Sequence, residues 1–415
     1  MNSNSLLFSP FTLPNGVTLP NRLIKAAMEE NLSDPNLEPG KALWNLYETW
    51  AHGGVGTMIT GNVMVDHRAM TGPGGVVLEE GTPLEGFRKW ASKAKVAGGK
   101  IIMQINHPGR QVLAKLGGEV WAPSAFAVDI GKFSKLLGKP REMTKTEIEE
   151  TIQRFAKTSQ LALESGFDGV EIHAAHGYLI SQFLSPIANQ RKDEWGGSLE
   201  NRSRFLLEVI QAVRKTVNPD FIVAVKLNSA DFQKGGFQFQ DAKEVISRIQ
   251  TLGVDFIELS GGNYEAPAMQ GETRDGSTIS REAYFLEFAS EVAKTATVPI
   301  LVTGGIRRKQ IAESVLVSGV PLVGIATALA LNPNLPNDWK EEEKQKNPVL
   351  PEPNWKSKTL KGLANMAMVR YQLNRLSENK KPTIKVSPIM RLMMDQIRMV
   401  RLTKRYQKWI RNHTR

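Results

Sequence analysis

The chain has 415 residues, enough for one large domain with an appendage or for two domains, and its 41% hydrophobic and 23% charged residues fit a globular protein. It has no cysteine, which excludes disulfides, Cys-ligated zinc and Cys-ligated iron–sulfur clusters. The net charge of +11 is unevenly placed: residues 354–415 carry 16 Lys/Arg against 2 Asp/Glu, so a strongly basic tail follows a nearly neutral body.

The first stretch, MNSNSLLFSPFTLPNG, has neither a basic n-region nor a long apolar h-region. No apolar run reaches the ~18 residues of a spanning helix, and the expected location is cytoplasmic. Asn15-Gly16, set between short apolar stretches, predicts a β-hairpin that caps the floor of the main domain.

A repeated beat then begins, a short apolar run followed by an amphipathic helix. The runs are residues 22–28, 55–61, 100–106, 168–174, 221–228, 255–261, 298–305 and 321–327. They are rich in Ile and Val and short enough to be strands buried on both faces. Between them, Thr144 followed by Glu147 has capping-box spacing. Ile148, Ile152, Phe155 and Leu163 share one helical face behind it, and Gly166 ends the run. Leu206, Val209, Ile210 and Val213 mark another helix. Eight such units predict an α/β fold, a closed (β/α)8 barrel, over an open doubly wound sheet. The barrel is expected over residues 1–335 and a basic helical C-terminal extension over 336–415. Two long segments, 107–141 after the third strand and 174–200 after the fourth, leave strand ends where barrel active sites are built.

The second of these segments starts within IHAAHGYLISQFLSP (172–186), which holds two of the six histidines, His173 and His176, and then Tyr178. Two histidines at i and i+3 can share a metal, yet no third ligand occurs at convincing spacing, so no metal site is assigned. An isolated pair would only satisfy loop hydrogen bonds. Its place at the end of a barrel strand turns the reading toward catalysis.

The wider stretch HAAHGYLISQFLSPIANQRKDEWGGSLENRSRFLLEVI resembles the Old Yellow Enzyme family of flavin-dependent ene-reductases. LPNRLIKAAM, MQINHPGRQ, SPIANQRKDEWGGSLENR and TGGIR extend the likeness in order over residues 8–330. The branch is similar to the bacterial NADH:flavin oxidoreductases; the iron–sulfur relatives need a cysteine cluster that this chain lacks. The resemblance implies FMN across the C-terminal mouth of the barrel, with electrons passing from NADH or NADPH through the flavin to the β-carbon of an activated alkene. By the same resemblance His173 and His176 are donors to the substrate oxygen, which is oxyanion-hole logic, and Tyr178 is the proton donor to the α-carbon. Gln104 matches the residue that reads the flavin pyrimidine edge, and Ala27 and Met28 the segment under the ring. Gly61, Gly304, Gly305, Ala326 and Thr327 end the second, seventh and eighth strands, the last two of which usually frame a phosphate site.

Three positions depart from the family pattern. Glu29 stands where a Thr or Cys usually donates to the flavin. Lys226 stands where an Arg usually flanks N1 and O2, keeping the charge and losing the planar fork. Ala326-Thr327 replaces a Gly-Arg pair. In the tail, Ile389, Met393, Ile397, Val400, Lys404 and Lys408 fall near one another on a helix, an apolar stripe that grows basic. Two readings stay open there, a helical appendix packed on the barrel or on a partner subunit, and a contact with a membrane or other anionic surface. Nucleic-acid binding lacks any recognition motif beside the charge. At the level of activity, an FMN-dependent NAD(P)H oxidase or quinone reductase, and a barrel scaffold recruited by its tail, stand beside the ene-reductase.

Overall fold

The computed structural model describes residues 5–270, 282–341 and 348–413. Each of the eight apolar runs contains one parallel strand: β1 (Leu23–Lys25), β2 (Thr57–Ile59), β3 (Lys100–Asn106), β4 (Gly169–Ala174), β5 (Ile222–Asn228), β6 (Phe256–Ser260), β7 (Ile300–Val302) and β8 (Leu322–Ile325). They pair in chain order, and β8 pairs with β1 to close the barrel. The expected (β/α)8 fold is the observed one.

Around the strands run α1 (Lys41–His52), α2 (Glu85–Ala94), α3 (Lys145–Glu164), α4 (Leu199–Thr216), α5 (Phe239–Ile249), α6 (Leu286–Ala293), α7 (Lys309–Val317) and a short α8 (Thr327–Leu331). The capping box of α3 forms as its sequence directs. Thr144 Oγ1 accepts from Glu147 N at 3.3 Å, and the Glu147 carboxylate accepts from Thr144 N at 2.8 Å.

The hairpin predicted at Asn15-Gly16 pairs Phe11–Thr12 with Thr18–Leu19. Its Leu13 and Leu19 join Ile24, Ile59, Ile102, Ile222, Phe256, Leu301 and Leu322 in one buried cluster. That cluster is the floor of the barrel, closed by hydrocarbon. Because side chains alternate along a strand, the next inward position up falls two residues on. There the register sets Gln104 beside Glu171 and Lys226 beside Glu258. One step higher stand His173, Asn228 and Ser260, with Asn228 and Ser260 paired in register. The lumen thus changes from apolar at the floor, through a charged layer, to neutral polar groups at the C-terminal mouth.

Two further helices, α9 (Lys358–Ser377) and α10 (Pro388–His413), pack on each other. Helix α9 lies on α1, where Asn45 Nδ2 donates to Ser377 O at 3.0 Å. Helix α10 lies on loops at the mouth. Arg405 Nη2 donates to Ser33 O at 3.0 Å, and Tyr406 OH donates to His67 O at 2.7 Å.

Candidate active site

His173 ends β4 and is almost fully buried. The Ala175 N–H donates to its Nδ1 at 3.2 Å, so the proton of the neutral ring belongs on Nε2, which is then a hydrogen-bond donor. His176 has φ of +60°, a left-handed backbone that costs a non-glycine residue on the order of 1 kcal/mol. Two contacts hold it there: its N–H donates to Asn228 Oδ1 at 3.0 Å, and its Nε2 shares a hydrogen bond with Ser260 Oγ at 2.7 Å. Neither contact engages Nδ1. The two imidazoles meet edge to face with centroids 5.0 Å apart.

Both rings are held neutral. Burial depresses each pKa well below the usual histidine value; the His173 value is lowered further by His176 and Lys226, and the His176 value by Lys226. Neutral imidazoles still donate hydrogen bonds, and they do so without a titration in the physiological range.

Tyr178 lies 4.9 Å from His173, ring centroid to centroid, at 81°. Burial raises its phenol well above 10, with Tyr264 and Glu29 adding to the effect and a hydrogen bond with Asn62 opposing it. The phenol therefore stays protonated and able to give its proton to a stronger base. Its oxygen is 3.3 Å from that of Tyr264. Tyr264 escaped the sequence reading. It comes from the loop after β6, which is stitched to the loop after β3: Gln111 Oε1 accepts from Tyr264 N at 3.3 Å, Gln111 Nε2 donates to His176 O at 2.9 Å, and Arg110 pairs with Glu265 at 3.0 Å. The loops that frame the cluster are thus tied together above it.

Beneath the histidines, Lys226 Nζ donates to Glu258 Oε1 at 2.6 Å, and Gln104 Nε2 donates to Glu171 Oε2 at 2.6 Å. Burial opposes the Lys226 charge, but Glu258 and Glu171 outweigh it and leave its pKa above the ordinary lysine value. Burial, and then the neighbouring Glu258, push the Glu171 carboxyl well above the carboxylate range. The layer therefore holds an ion pair with a neutral acid beside it. Folded Glu171 keeps a proton that the unfolded chain releases above about pH 4.5, so its contribution to stability falls as pH rises from there toward its elevated folded pKa. Glu171→Gln keeps a partner for Gln104 and should flatten that loss, which melting curves at pH 5 and pH 8 would show; an unchanged pH slope counts against a protonated Glu171.

Glu29, the first departure from the family pattern, faces a cation from far along the chain. Arg370 of α9 brings Nη1 to 3.9 Å from Glu29 Oε2, while its Nε and Nη2 grip Asp395 of α10 at 3.1 and 2.6 Å. The second departure, Lys226, spends its charge on the ion pair with Glu258. After β7, two guanidiniums follow the Gly304-Gly305 turn: Arg307 and Arg308 both contact Glu282, at 3.2 and 2.7 Å.

The residues matched to flavin contacts all lie at C-terminal strand ends or in the lumen just below: Ala27 and Met28 after β1, Gly61 after β2, Gln104 on β3, Lys226 on β5, Gly304-Gly305 after β7 and Ala326-Thr327 after β8. A Cβ on Gly61 would run into the Glu30 carboxylate and the Met28 carbonyl, and one on Gly305, at φ +71°, would stand 2.8 Å from the Tyr284 ring, so the protein's own packing requires bare backbone at both places. What fits a flavin there is the chemistry of the donor set: an amide, an ammonium and turn amides suit a heterocycle edge and a phosphate. Among the described residues, the His/Asp/Glu group close enough to share a metal is Asp66, His67 and Glu79, away from the histidine pair, and there Arg68 and Arg154 already meet the carboxylates.

Residues 6–346 match the model of the NADH:flavin oxidoreductase / NADH oxidase family. The chain belongs to that family, the Old Yellow Enzyme family. It is 39% identical over 349 residues to the NADH-dependent flavin oxidoreductase iliE of Hypocrea jecorina, covering 79% of this chain and 87% of that one. It is 36% identical over 336 residues to the NADPH dehydrogenase of a Geobacillus strain, covering 80% and 93%. The old yellow enzyme homologue of Zymomonas mobilis superposes with a TM-score of 0.71 over 83% of this chain and 94% of that one, at 24% identity, a likeness of fold. This Old Yellow Enzyme family member is an NAD(P)H-dependent flavin oxidoreductase. The family uses a flavin together with NADH or NADPH.

Proposed function

We propose that this family member binds FMN non-covalently at the barrel mouth and reduces the C=C bond of α,β-unsaturated carbonyls or similarly activated alkenes. The observation that carries this reading is the cluster of three neutral donors at the end of β4, buried His173 and Tyr178 with half-buried His176, the Tyr178 and His176 ring centroids each about 5 Å from that of His173. Bound FMN would supply the two-electron chemistry between NAD(P)H and the alkene. The protein residues do the rest. His173 Nε2–H and the free nitrogen of His176 hold the substrate oxygen and stabilise charge as it develops on it, which polarises the alkene. The Tyr178 phenol delivers a proton to the α-carbon, and its raised pKa keeps that proton available.

For the cofactor, Gln104 would meet the pyrimidine edge, Lys226 would set positive charge near it, and the turns after β7 and β8 would take the phosphate. With Ala326-Thr327 in place of a Gly-Arg pair, the cations that would serve the phosphate are Arg307 and Arg308, which follow the Gly304-Gly305 turn and contact Glu282. Acid or heat should release a yellow flavin carrying one phosphate; a colourless protein that cannot be reconstituted with FMN rules the reading out.

The deciding assay is anaerobic consumption of NADH or NADPH with and without cyclohexenone. Alkene-dependent consumption with formation of cyclohexanone supports the reading. Consumption that needs oxygen or a quinone, with the enone unreduced, replaces it by an oxidase or quinone reductase.

A further inference from the structure

Helix α10 has two faces of opposite character. One is fixed to the barrel. Asp395 takes Arg370, Arg398 donates to Asn31 O at 2.5 Å, Arg405 and Tyr406 bind the loops after β1 and β2, and Gln407 donates to Lys115 O at 2.6 Å. These contacts run from the first half of the helix to its second, so it cannot roll to hide the other face.

That other face is apolar and uncovered over its first half. Ile389, Met390, Met393, Met394, Ile397 and Val400 are each about half exposed or more, Met393 at 62%. A contiguous exposed stripe of this kind on one helix marks an interaction surface, unlike isolated exposed side chains. Along the same face the second half turns basic, with Arg401, Lys404, Lys408 and Arg411 exposed. The helix has one acidic residue, Asp395, and it faces inward. Among the described residues no helix is long and apolar enough to cross a membrane.

We propose that the outer face of α10 docks on an anionic phospholipid bilayer. The charge pattern chooses this occupant. A second copy in antiparallel pairing would set each basic half on the other's apolar half, and a parallel pair would set cations on cations; the exposed face offers no carboxylate to either. A bilayer surface supplies both partners at once: acyl chains and glycerol backbones for Met and Ile, and anionic headgroups for the four cations. Methionine suits such a boundary, because its flexible thioether adapts to an irregular, mobile contact. The helix would lie in the plane of the interface, with the barrel mouth held beside it by the loops after β1 and β2.

The test is flotation of the full-length, flavin-loaded protein with vesicles of phosphatidylcholine alone and of equimolar phosphatidylcholine and phosphatidylglycerol. Binding is expected to the anionic vesicles, little to the neutral ones, and less as salt rises. Each cation near an anionic surface is worth about fivefold in partitioning, so Lys404→Glu with Lys408→Glu should cut binding by on the order of tenfold or more. Met393→Ser with Ile397→Ser should cut it similarly while leaving NADH oxidation and folding unchanged, since neither pair touches the site or the barrel. Absence of flotation at low salt overturns the proposal, as does undiminished binding by both double variants. A concentration-dependent dimer in sedimentation that Met393→Ser/Ile397→Ser dissociates, with no vesicle binding by the native chain, assigns the face to a second copy instead.

Discussion

Tyr178→Phe should split the catalytic cycle in two. Reduction of the bound flavin by NAD(P)H should run near the native rate, because no proton from the phenol is needed there. The oxidative half-reaction with an enone should slow by ~10²–10⁴-fold, the usual worth of a positioned general acid. The phenol is buried and 4.9 Å from the His173 ring, so its loss leaves the histidine donors in place. His173→Ala should behave differently. It removes the Nε2 donor proposed to hold the substrate oxygen, so it should also weaken binding of phenolate ligands that mimic an enolate. Tyr264 supplies the internal control, with its oxygen 3.3 Å from that of Tyr178. If Tyr178→Phe is silent and Tyr178→Phe/Tyr264→Phe is slow, the second phenol is the proton source. Stopped-flow absorbance of the flavin reads both halves on one sample.

The range of each interaction decides whether it can be read from the sequence. The barrel was legible because each strand is a local apolar run and each helix a local periodicity; Thr144 and Glu147 even state where α3 begins. The proposed donors His173, His176 and Tyr178 could be grouped from the sequence because they sit within six residues at one strand end. Tyr264 and Arg370 were not. Tyr264 reaches the cluster only when β6 closes beside β5, and Arg370 only when a helix beyond the barrel folds back over α1. Nothing local marks either. The charged layer lies between these cases. VEIHA, AVKLN and FIELS each place a polar residue at an alternate position of a buried strand, a signal that Glu171, Lys226 and Glu258 share one face. Which of them pair depends on the register between strands, which no single strand encodes. The Glu29 departure likewise makes sense only with Arg370 in view.

Asp395→Ala should loosen the whole C-terminal helix pair. Arg370 and Asp395 are each 7% exposed, and the guanidinium grips the carboxylate through two nitrogens. Removing the carboxylate strands a buried cation with Glu29 at 3.9 Å as its remaining carboxylate contact, a change that typically costs about 3–5 kcal/mol. The cost falls chiefly on the helix pair, because the ion pair joins α9 to α10, while α9 keeps Leu373 and Leu376 in the main core cluster. Proteolysis in the 378–387 connection should therefore accelerate by roughly two to four orders of magnitude, the factor that such an energy gives to an open population. The barrel's own melting should move far less. Arg370→Leu with Asp395→Leu tests the cause: replacing both charges by hydrocarbon should restore protection, since the penalty lies in the unpaired charge and not in lost pairing energy. If Asp395→Ala is cleaved no faster than the native chain, the salt bridge does not hold the helices, and their seat rests on the hydrogen bonds of Arg398, Arg405 and Tyr406 to the mouth loops.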